Sequence, residues 1–406
     1  MKEIIVPPDK SISHRAILIG SLCKHPVRIK NPLKSGDTIS TVSCLRSLGI
    51  KIDENDGLTI YGKSWKNPEK PLDCGNSGTT MRLLSGILAH LPFEVTLTGD
   101  SSLSKRPMKR IGEPLSLMGA EFFGDYPPIK IKGGNLKAIS YTLPVSSAQV
   151  KSAILLAGLR AQGKTTIIEP LLSRDHTERM LDFLGVPIKK EGFKTSLNGP
   201  FEPFGDVDIE IPGDFSSASF FITAGLILNT KIKIKGIGIN KTRTGFLDCL
   251  KKMGAEFAIE NERLICNEPV GDIVVSPSSF SGIKVSSDMV PIMIDEIPIL
   301  SVLALFAKGR TVIEGAKELR VKESDRIKAI VFELSKLGAR IEELNDGMII
   351  EGGYPLTPAT LYSHNDHRIA MALSILSLKL PGIKIEGSEW VSISFPNFYE
   401  LLSLLK

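Results

Sequence analysis

Apolar positions along this chain come in blocks that repeat. A polar turn rich in Gly, Ser or charge leads into an apolar helix. A short strand follows, then a second helix that ends in Leu or Met before Gly, and then a hairpin. The second-helix endings are Leu48-Gly49-Ile50, Met118-Gly119-Ala120, Leu184-Gly185-Val186, Met253-Gly254-Ala255 and Leu337-Gly338-Ala339, with their glycines 70, 66, 69 and 84 residues apart. Gly at that place takes the left-handed conformation that closes a helix at little steric cost. The turns that open the units lie near Asp9–Arg15, Cys74–Thr80, Val145–Gln149, Gly213–Ser217, Asp288–Asp295 and Ser363–Arg368, and the sixth unit is cut short near Ser394-Phe-Pro396.

Six βαβαββ units of this length predict an α/β (α+β) protein built by internal duplication, not a short-period solenoid. At 406 residues the chain is too long for one core. The simplest grouping is two similar domains of three units each, 9–212 and 1–8 plus 213–406. Pro212-Gly213 is the expected crossover, and the first strand, before Pro7-Pro8, joins the C-terminal half. Helix N-termini pointing into one interdomain cleft would bind several negative charges there.

Composition narrows the chemistry. Hydrophobic residues make up 42% of the chain and mean hydropathy is +0.08, values of a soluble globular protein. A net charge of +5 and a pI near 8.8 are too mild to imply nucleic acid, and no aromatic-basic stripe stands out. They suit small anionic substrates if the cations cluster. The five cysteines show neither paired nor metal-type spacing, which predicts a reducing cytosol. The start, Met1-Lys-Glu-Ile-Ile-Val, reads as a strand, and neither a signal peptide nor an apolar run of membrane-spanning length is expected.

Candidate chemistry lies in the polar turns. Arg320-Val-Lys-Glu-Ser-Asp-Arg326 sets Lys322, Glu323 and Arg326 at the start of a helix whose apolar face is Ile327, Ile330, Val331, Leu334 and Leu337. Such an end attracts anions through its free N–H groups and dipole. Lys10, Ser11 and Arg15 stand at another helix start, where a phosphate would be held. Cys74–Arg82 is a candidate anion nest around Gly78, and Ser147 and Gln149 open a further helix. Arg106 sits in a basic loop, Ser104–Met108, whose ordinary reading is solvated charge. Arg174 belongs to the polar helix start Ser173–Glu178. Asp295-Glu296 before an apolar helix supplies candidates for a base. His364–Arg368 has the look of a loose metal cluster, but no third ligand is evident, and Arg368 as an anion clamp fits its fork geometry better. Gly158–Thr165 literally matches a nucleotide-binding loop; the order of elements around it, helix before and strand after, rejects that reading.

Taken together, Pro8-Asp-Lys-Ser-Ile-Ser-His-Arg15, Gly75-Asn-Ser-Gly-Thr-Thr-Met-Arg82, Ser147-Ala-Gln149, Arg174-Asp-His-Thr-Glu178, Ile294-Asp-Glu-Ile-Pro298, Arg320–Arg326 and Asp366-His-Arg-Ile-Ala-Met371 resemble the 5-enolpyruvylshikimate-3-phosphate synthases across nearly the whole chain. The resemblance implies the inside-out α/β barrels of the enolpyruvyl transferases, with an active site in the interdomain cleft. It implies transfer of the enolpyruvyl group of phosphoenolpyruvate to the 5-hydroxyl of shikimate 3-phosphate, with release of phosphate. It implies no organic cofactor and no metal, no nucleic-acid or membrane partner, and a cytoplasmic monomer that is a target of glyphosate.

Carried over by position, Lys10, Ser11, Arg15, Ser147, Gln149, Arg174, Asp295 and Lys322 would bind shikimate 3-phosphate. Lys10, Gly78, Arg106, Gln149, Arg326 and Arg368 would bind phosphoenolpyruvate. Asp295 would accept the proton of the 5-hydroxyl, Lys322 would orient that hydroxyl, and Glu323 would protonate the methylene carbon. The chain departs from some members at Ala148, Glu318 and Ile393, and no contact is carried over there. Ser147-Ala-Gln149 with Arg174-Asp-His-Thr-Glu178 resembles the second class of the family. The related transferases acting on UDP-N-acetylglucosamine usually carry a reactive cysteine in a basic loop, and Leu103-Ser-Lys-Arg-Pro107 has none. A non-catalytic binder of phosphorylated ligands would keep the cations without needing Asp295 or Glu323.

Overall fold

The computed structural model describes residues 1–62 and 64–405. The chain opens on strand β1 (Lys2–Ile4). The first repeat runs α1 (Lys10–Gly20), β2 (Val27–Lys30), α2 (Gly36–Ser47), β3 (Lys51–Asp53) and β4 (Leu58–Tyr61). The second is β5 (Leu72–Asp73), α3 (Gly78–Leu88), β6 (Glu94–Thr98), α4 (Lys109–Met118), β7 (Glu121–Phe123) and β8 (Ile129–Lys132). The third is β9 (Ser140–Thr142), α5 (Ala148–Gly158), β10 (Gly163–Ile168), α6 (His176–Phe183), β11 (Lys189–Glu191) and β12 (Lys194–Gly199). After β13 (Val207–Glu210) the fourth runs α7 (Phe215–Leu228), β14 (Ile232–Gly238), α8 (Gly245–Met253), β15 (Phe257–Ile265) and β16 (Glu268–Val275). The fifth is β17 (Lys284–Val285), α9 (Ile297–Ala304), β18 (Gly309–Ile313), α10 (Arg326–Ser335), β19 (Arg340–Leu344) and β20 (Gly347–Gly352). The last is β21 (Thr360–Tyr362), α11 (His367–Leu376), β22 (Lys384–Glu386) and α12 (Phe398–Ser403).

Every full repeat makes one four-stranded sheet of the same order, as in β5-β6-β8-β7, where β5 and β6 are parallel and the hairpin adds on antiparallel. Among the described residues the sixth keeps only the parallel pair β21-β22 and shows no hairpin, as the break near Ser394 predicts. Two repeats borrow their first strand. β13 pairs parallel with β2 to complete the first sheet, and β1 pairs parallel with β14, Lys2 opposite Ile232, to complete the fourth. The five repeat glycines all follow their second helices at φ between 78° and 112°, the left-handed backbone their spacing predicts.

The chain divides into two compact units. One is residues 8–211 with Leu264–Glu268; the other is 1–7, 212–263 and 269–405. Each has its own core, the first around Ile17, Leu83, Ile87 and Leu155, the second around Phe215, Phe246, Leu300 and Leu373. The expected 9–212 domain left out the tip of the β15–β16 hairpin. Polar pairing puts it there: Glu268 bonds His176 Nδ1 at 2.7 Å, Asn267 donates to Asp182 at 2.9 Å, and Asn267 O accepts from Arg179 at 2.8 Å.

The first helix of each repeat is the inner one. Helices α1, α5, α7, α9 and α11 are buried around most of their circumference, and α3 packs on α5 as α11 packs on α9 and α7. A helix enclosed by apolar neighbours offers polar groups mainly at its ends, where free N–H groups demand partners, and further in only where they are paired, as His14 and Arg15 are in α1. That rule puts the chemistry of this fold at the helix N-termini. Among the described residues, no helix is long and apolar enough to cross a membrane.

Candidate active site

In the 8–211 unit the polar starts of α1, α3 and α5 are tied together by side chains. Asp9 caps α1, accepting from Ile12 N at 2.8 Å, and so sets Lys10 at the first position. Lys10 Nζ donates to Asp37 in the first turn of α2 at 3.0 Å. His14, fully buried on α1, meets Thr41 of α2 at 2.7 Å; Thr41 meets Thr80 of α3 at 2.7 Å, and Thr80 donates to Ser77, the α3 cap, at 2.7 Å. Burial lowers the His14 pKa to about 3, with Asp37 opposing and Lys10 and Arg15 adding to the drop. The folded protein therefore holds this imidazole neutral while the unfolded chain takes a proton near pH 6.5. Its contribution to stability is whole above that pH and declines towards pH 3, by about 1.4 kcal/mol per pH unit. Chemical denaturation at pH 7.5 and 5.5 measures this. The loss in wild type should shrink in His14→Asn, and an equal loss in both would contradict it.

Arg15 is 2% exposed. Its guanidinium donates to Thr177 Oγ1 at 2.8 Å, Ser152 Oγ at 3.0 Å and Ser11 O at 2.9 Å. Burial brings its pKa down to about 10; Glu178 raises it and Arg174 lowers it, so Arg174 adds positive charge close by. The segment bearing Arg174 is pinned from below by Lys151, which is fully buried between Glu169 and Glu178, each at 2.7 Å, and also donates to Ser173 O at 3.3 Å. Two cations beside one buried patch invite an anion.

Gly78, Arg106 and Gln149 come together at the start of α3. Gly78 is its first residue, behind the Ser77 cap. A Cβ on Gly78 would stand 2.7 Å from Arg82 Nη1 and 3.4 Å from Arg106 Nη1, so two guanidinia face this helix end. Arg82 donates to Gln149 Oε1 at 2.8 Å, and Gln149 Nε2 donates to Thr79 Oγ1 at 2.9 Å. Arg106 is 6% exposed, not solvated as its loop suggests, because Asn76 Oδ1 and Ser102 Oγ hold it at 2.9 and 3.1 Å. Ser147 caps α5, its hydroxyl accepting from Val150 N at 3.4 Å.

The second unit gathers Asp295, Glu323, Arg326 and Arg368 into one cluster. Asp325 caps α10, which makes Arg326 the first helical residue and leaves Lys322 and Glu323 in the turn before it. Arg326 is 1% exposed and presents its fork to Asp366 at 2.8 and 3.3 Å, Glu323 at 2.5 Å and Asp295 Oδ1 at 3.2 Å. Burial opposes its charge, but Asp366, Glu323 and Asp295 outweigh burial and carry its pKa above the ordinary arginine value. Asp366 also caps α11, accepting from Arg368 N at 2.9 Å. Arg368 reaches Asp295 Oδ1 with Nε at 3.4 Å and Asp295 O with Nη1 at 3.4 Å. Asp295 stands on the 3-10 turn Ile294–Glu296 that leads into α9, its side chain 14% exposed. Its neighbour Glu296 is wholly buried, paired with Ser216 and with Arg243. His364 of the metal-like motif bonds Glu333 at 2.8 Å.

Sequence reading missed Asp37, Arg82, Asp366 as a partner of Arg326, and Arg243. Asp37 and Asp366 stand at helix starts, where a search for opposite charges would have found them, and Arg82 closes a motif already quoted.

Residues 1–402 match the family profile described as EPSP synthase (3-phosphoshikimate 1-carboxyvinyltransferase). The chain is 49% identical over 412 residues to a 3-phosphoshikimate 1-carboxyvinyltransferase of Bacillus cytotoxicus, covering 99% of this chain and 97% of that protein. A solved EPSP synthase from Acinetobacter baumannii is similar at a TM-score of 0.87 and 44% identity, covering 99% of this chain and 95% of that one. NikO, an enolpyruvyl transferase from Streptomyces tendae, shares the fold at a TM-score of 0.81 and 19% identity, covering 100% and 94%.

Proposed function

The chain belongs to the EPSP synthase family, whose members transfer the enolpyruvyl group of phosphoenolpyruvate to shikimate 3-phosphate, and from that premise we propose how its residues divide the reaction. The observation that supports the division best is the near-buried Asp295 carboxylate against the guanidinia of Arg326 and Arg368. It sets a proton acceptor beside two cations suited to phosphate and carboxylate.

The two substrates bring two phosphates and two carboxylates. Lys10, Ser11, Arg15, Ser147, Gln149 and Arg174 take shikimate 3-phosphate, with Lys322 at its 5-hydroxyl. Lys10, Gly78, Arg106, Gln149, Arg326 and Arg368 take phosphoenolpyruvate. Charge-assisted bonds contribute roughly 1.5–3 kcal/mol each. Arg326 and Arg368 lean on Asp295, and an arriving anion competes for them and frees that carboxylate. Glu323 donates a proton to the methylene carbon, which leaves the adjacent carbon electrophilic. The 5-hydroxyl adds there while Asp295 takes its proton, giving a tetrahedral intermediate. Loss of a methyl proton to Glu323 and rupture of the C–O bond to phosphate complete the transfer. Acid and base steps are each worth about 10²–10⁴ in rate.

Phosphate release on mixing the protein with both substrates tests the activity, with the enolpyruvyl product read by NMR. Release with UDP-N-acetylglucosamine in place of shikimate 3-phosphate would overturn the acceptor. The same reading takes the enzyme as a cytoplasmic monomer, which light scattering at assay concentration checks for oligomeric state. It also takes Gly78 as a determinant of donor binding. In Gly78→Ala the added methyl displaces the ends of Arg82 and Arg106, both flexible side chains, so folding should survive. KM for phosphoenolpyruvate is expected to rise about tenfold, the worth of one weakened charged hydrogen bond. Inhibition by glyphosate should fall with it, and steady-state kinetics with an unchanged KM would remove Gly78 from the donor site.

A further inference from the structure

Beneath Asp295 lies a buried arginine that the scheme above leaves without a part. Arg243 is 2% exposed, and it stands two residues before α8. Its Nη2 donates to Ser216 Oγ at 2.7 Å and lies 3.5 Å from Asp214 Oδ1. Its Nη1 is 3.4 Å from Glu296 Oε1 and 3.7 Å from Asp295 Oδ2. Ser216 in turn donates to Glu296, and Asp214 caps α7 by accepting from Ser217 N at 3.0 Å. The guanidinium is thus fixed from the starts of two helices and has no room to follow a ligand.

The other oxygen of Asp295, Oδ1, faces Arg326 at 3.2 Å and Arg368 at 3.4 Å. Those two arginines are the ones assigned to phosphoenolpyruvate, and Arg326 is shared further with Asp366 and Glu323. Around Asp295, then, three guanidinia (Arg243, Arg326, Arg368) stand with four other carboxylates (Asp214, Glu296, Glu323, Asp366), and Lys322 lies in the turn before α10. Once the donor substrate draws on Arg326 and Arg368 and brings its own negative charge, less positive charge is left to favour the ionised form of Asp295. A protonated Asp295 is no base. Arg243 is the cation that stays.

We propose that Arg243 is a positioning residue for Asp295: anchored by Ser216, Glu296 and Asp214, it holds Oδ2 and keeps the carboxylate ionised through the arrival of substrate. The proposal rests on Asp295 being the base. Replacement by Met removes the charge and keeps the length. In Arg243→Met, kcat is expected to fall about 10²-fold, the low end of what a general base supplies. KM for both substrates should stay within about threefold of wild type, since so buried a group meets neither. The acidic limb of the kcat–pH profile should move up by roughly 1–3 units, the usual effect of an opposite charge at this range.

Arg243→Lys restores the charge without the fork. It should return the limb to within about half a unit of wild type while kcat stays below it. An Arg243→Met enzyme with an unmoved limb, or with raised KM and unchanged kcat, overturns the proposal. If Arg243→Met does not fold, Glu296→Gln carries the test. Freed of its closest anion, Arg243 should then act more fully on Asp295 and move the limb down, and a limb that stays or rises overturns the proposal. Wild-type protein that makes no product, or Asp295→Asn that keeps full turnover, would instead defeat the underlying assignment of the base.

Discussion

Asp295→Asn is expected to cut kcat by about 10²–10⁴ while phosphoenolpyruvate binds as well as before or better. The asparagine keeps the size of the side chain and an oxygen for Arg326 and Arg368, but it cannot take the proton of the attacking hydroxyl. Donor affinity should not suffer, because the native carboxylate competes with the substrate for those same guanidinia at 3.2 and 3.4 Å. Steady-state kinetics paired with calorimetric titration separates the two effects. A variant that loses binding and turnover in equal measure would make Asp295 a scaffold for the cations, not a base.

Arg326→Met should show the largest combined loss. Arg326 is 1% exposed and faces Asp366, Glu323 and Asp295. Its removal leaves three carboxylates around an apolar side chain, and breaking a buried ion pair from one side costs about 3–5 kcal/mol of stability. It also removes a bidentate clamp for the donor, worth roughly two charged hydrogen bonds, so kcat/KM should drop about 10²–10⁴. Arg326→Lys keeps one charge but not the fork. It should recover part of the stability and little of the kcat/KM, because a point charge does not reproduce planar two-point contact. Denaturation curves and kinetics on the two variants check this. A lysine enzyme with wild-type kcat/KM would show that charge alone suffices.

The architecture was legible because its signals repeat. One Gly after one apolar run is weak evidence; five at similar spacing, each at positive φ in the structure, identify the second helix of each unit. The polar openings were legible for the same reason, since the free N–H groups of a helix start call for polar partners in every repeat. The burial of Arg106 was not legible from its loop, because one of the groups that hold it, Asn76, lies 30 residues before it. Arg243 escaped notice for a related reason. It precedes the second helix of its repeat in a turn that no quoted motif covers, and its partners Ser216 and Glu296 are 27 and 53 residues away. Hydrophobic periodicity marks where apolar groups go; it carries no mark for a charge whose counter-charges arrive from other repeats.

The borrowed strands set a timetable for synthesis. β1 is made long before its parallel partner β14, which begins at Ile232, about 230 residues later. At roughly 5–20 residues per second, β1 waits about 12–45 s for a place in a sheet. The 8–211 unit faces a shorter version of the same delay, because its first sheet lacks β13 until Val207–Glu210 have left the ribosome. The first sheet of the 8–211 unit is therefore completed only by a strand from that unit's far end, and a messenger that stalls just before the codon for Val207 or for Ile232 strands an open sheet edge at the tunnel exit, where chaperones are needed most.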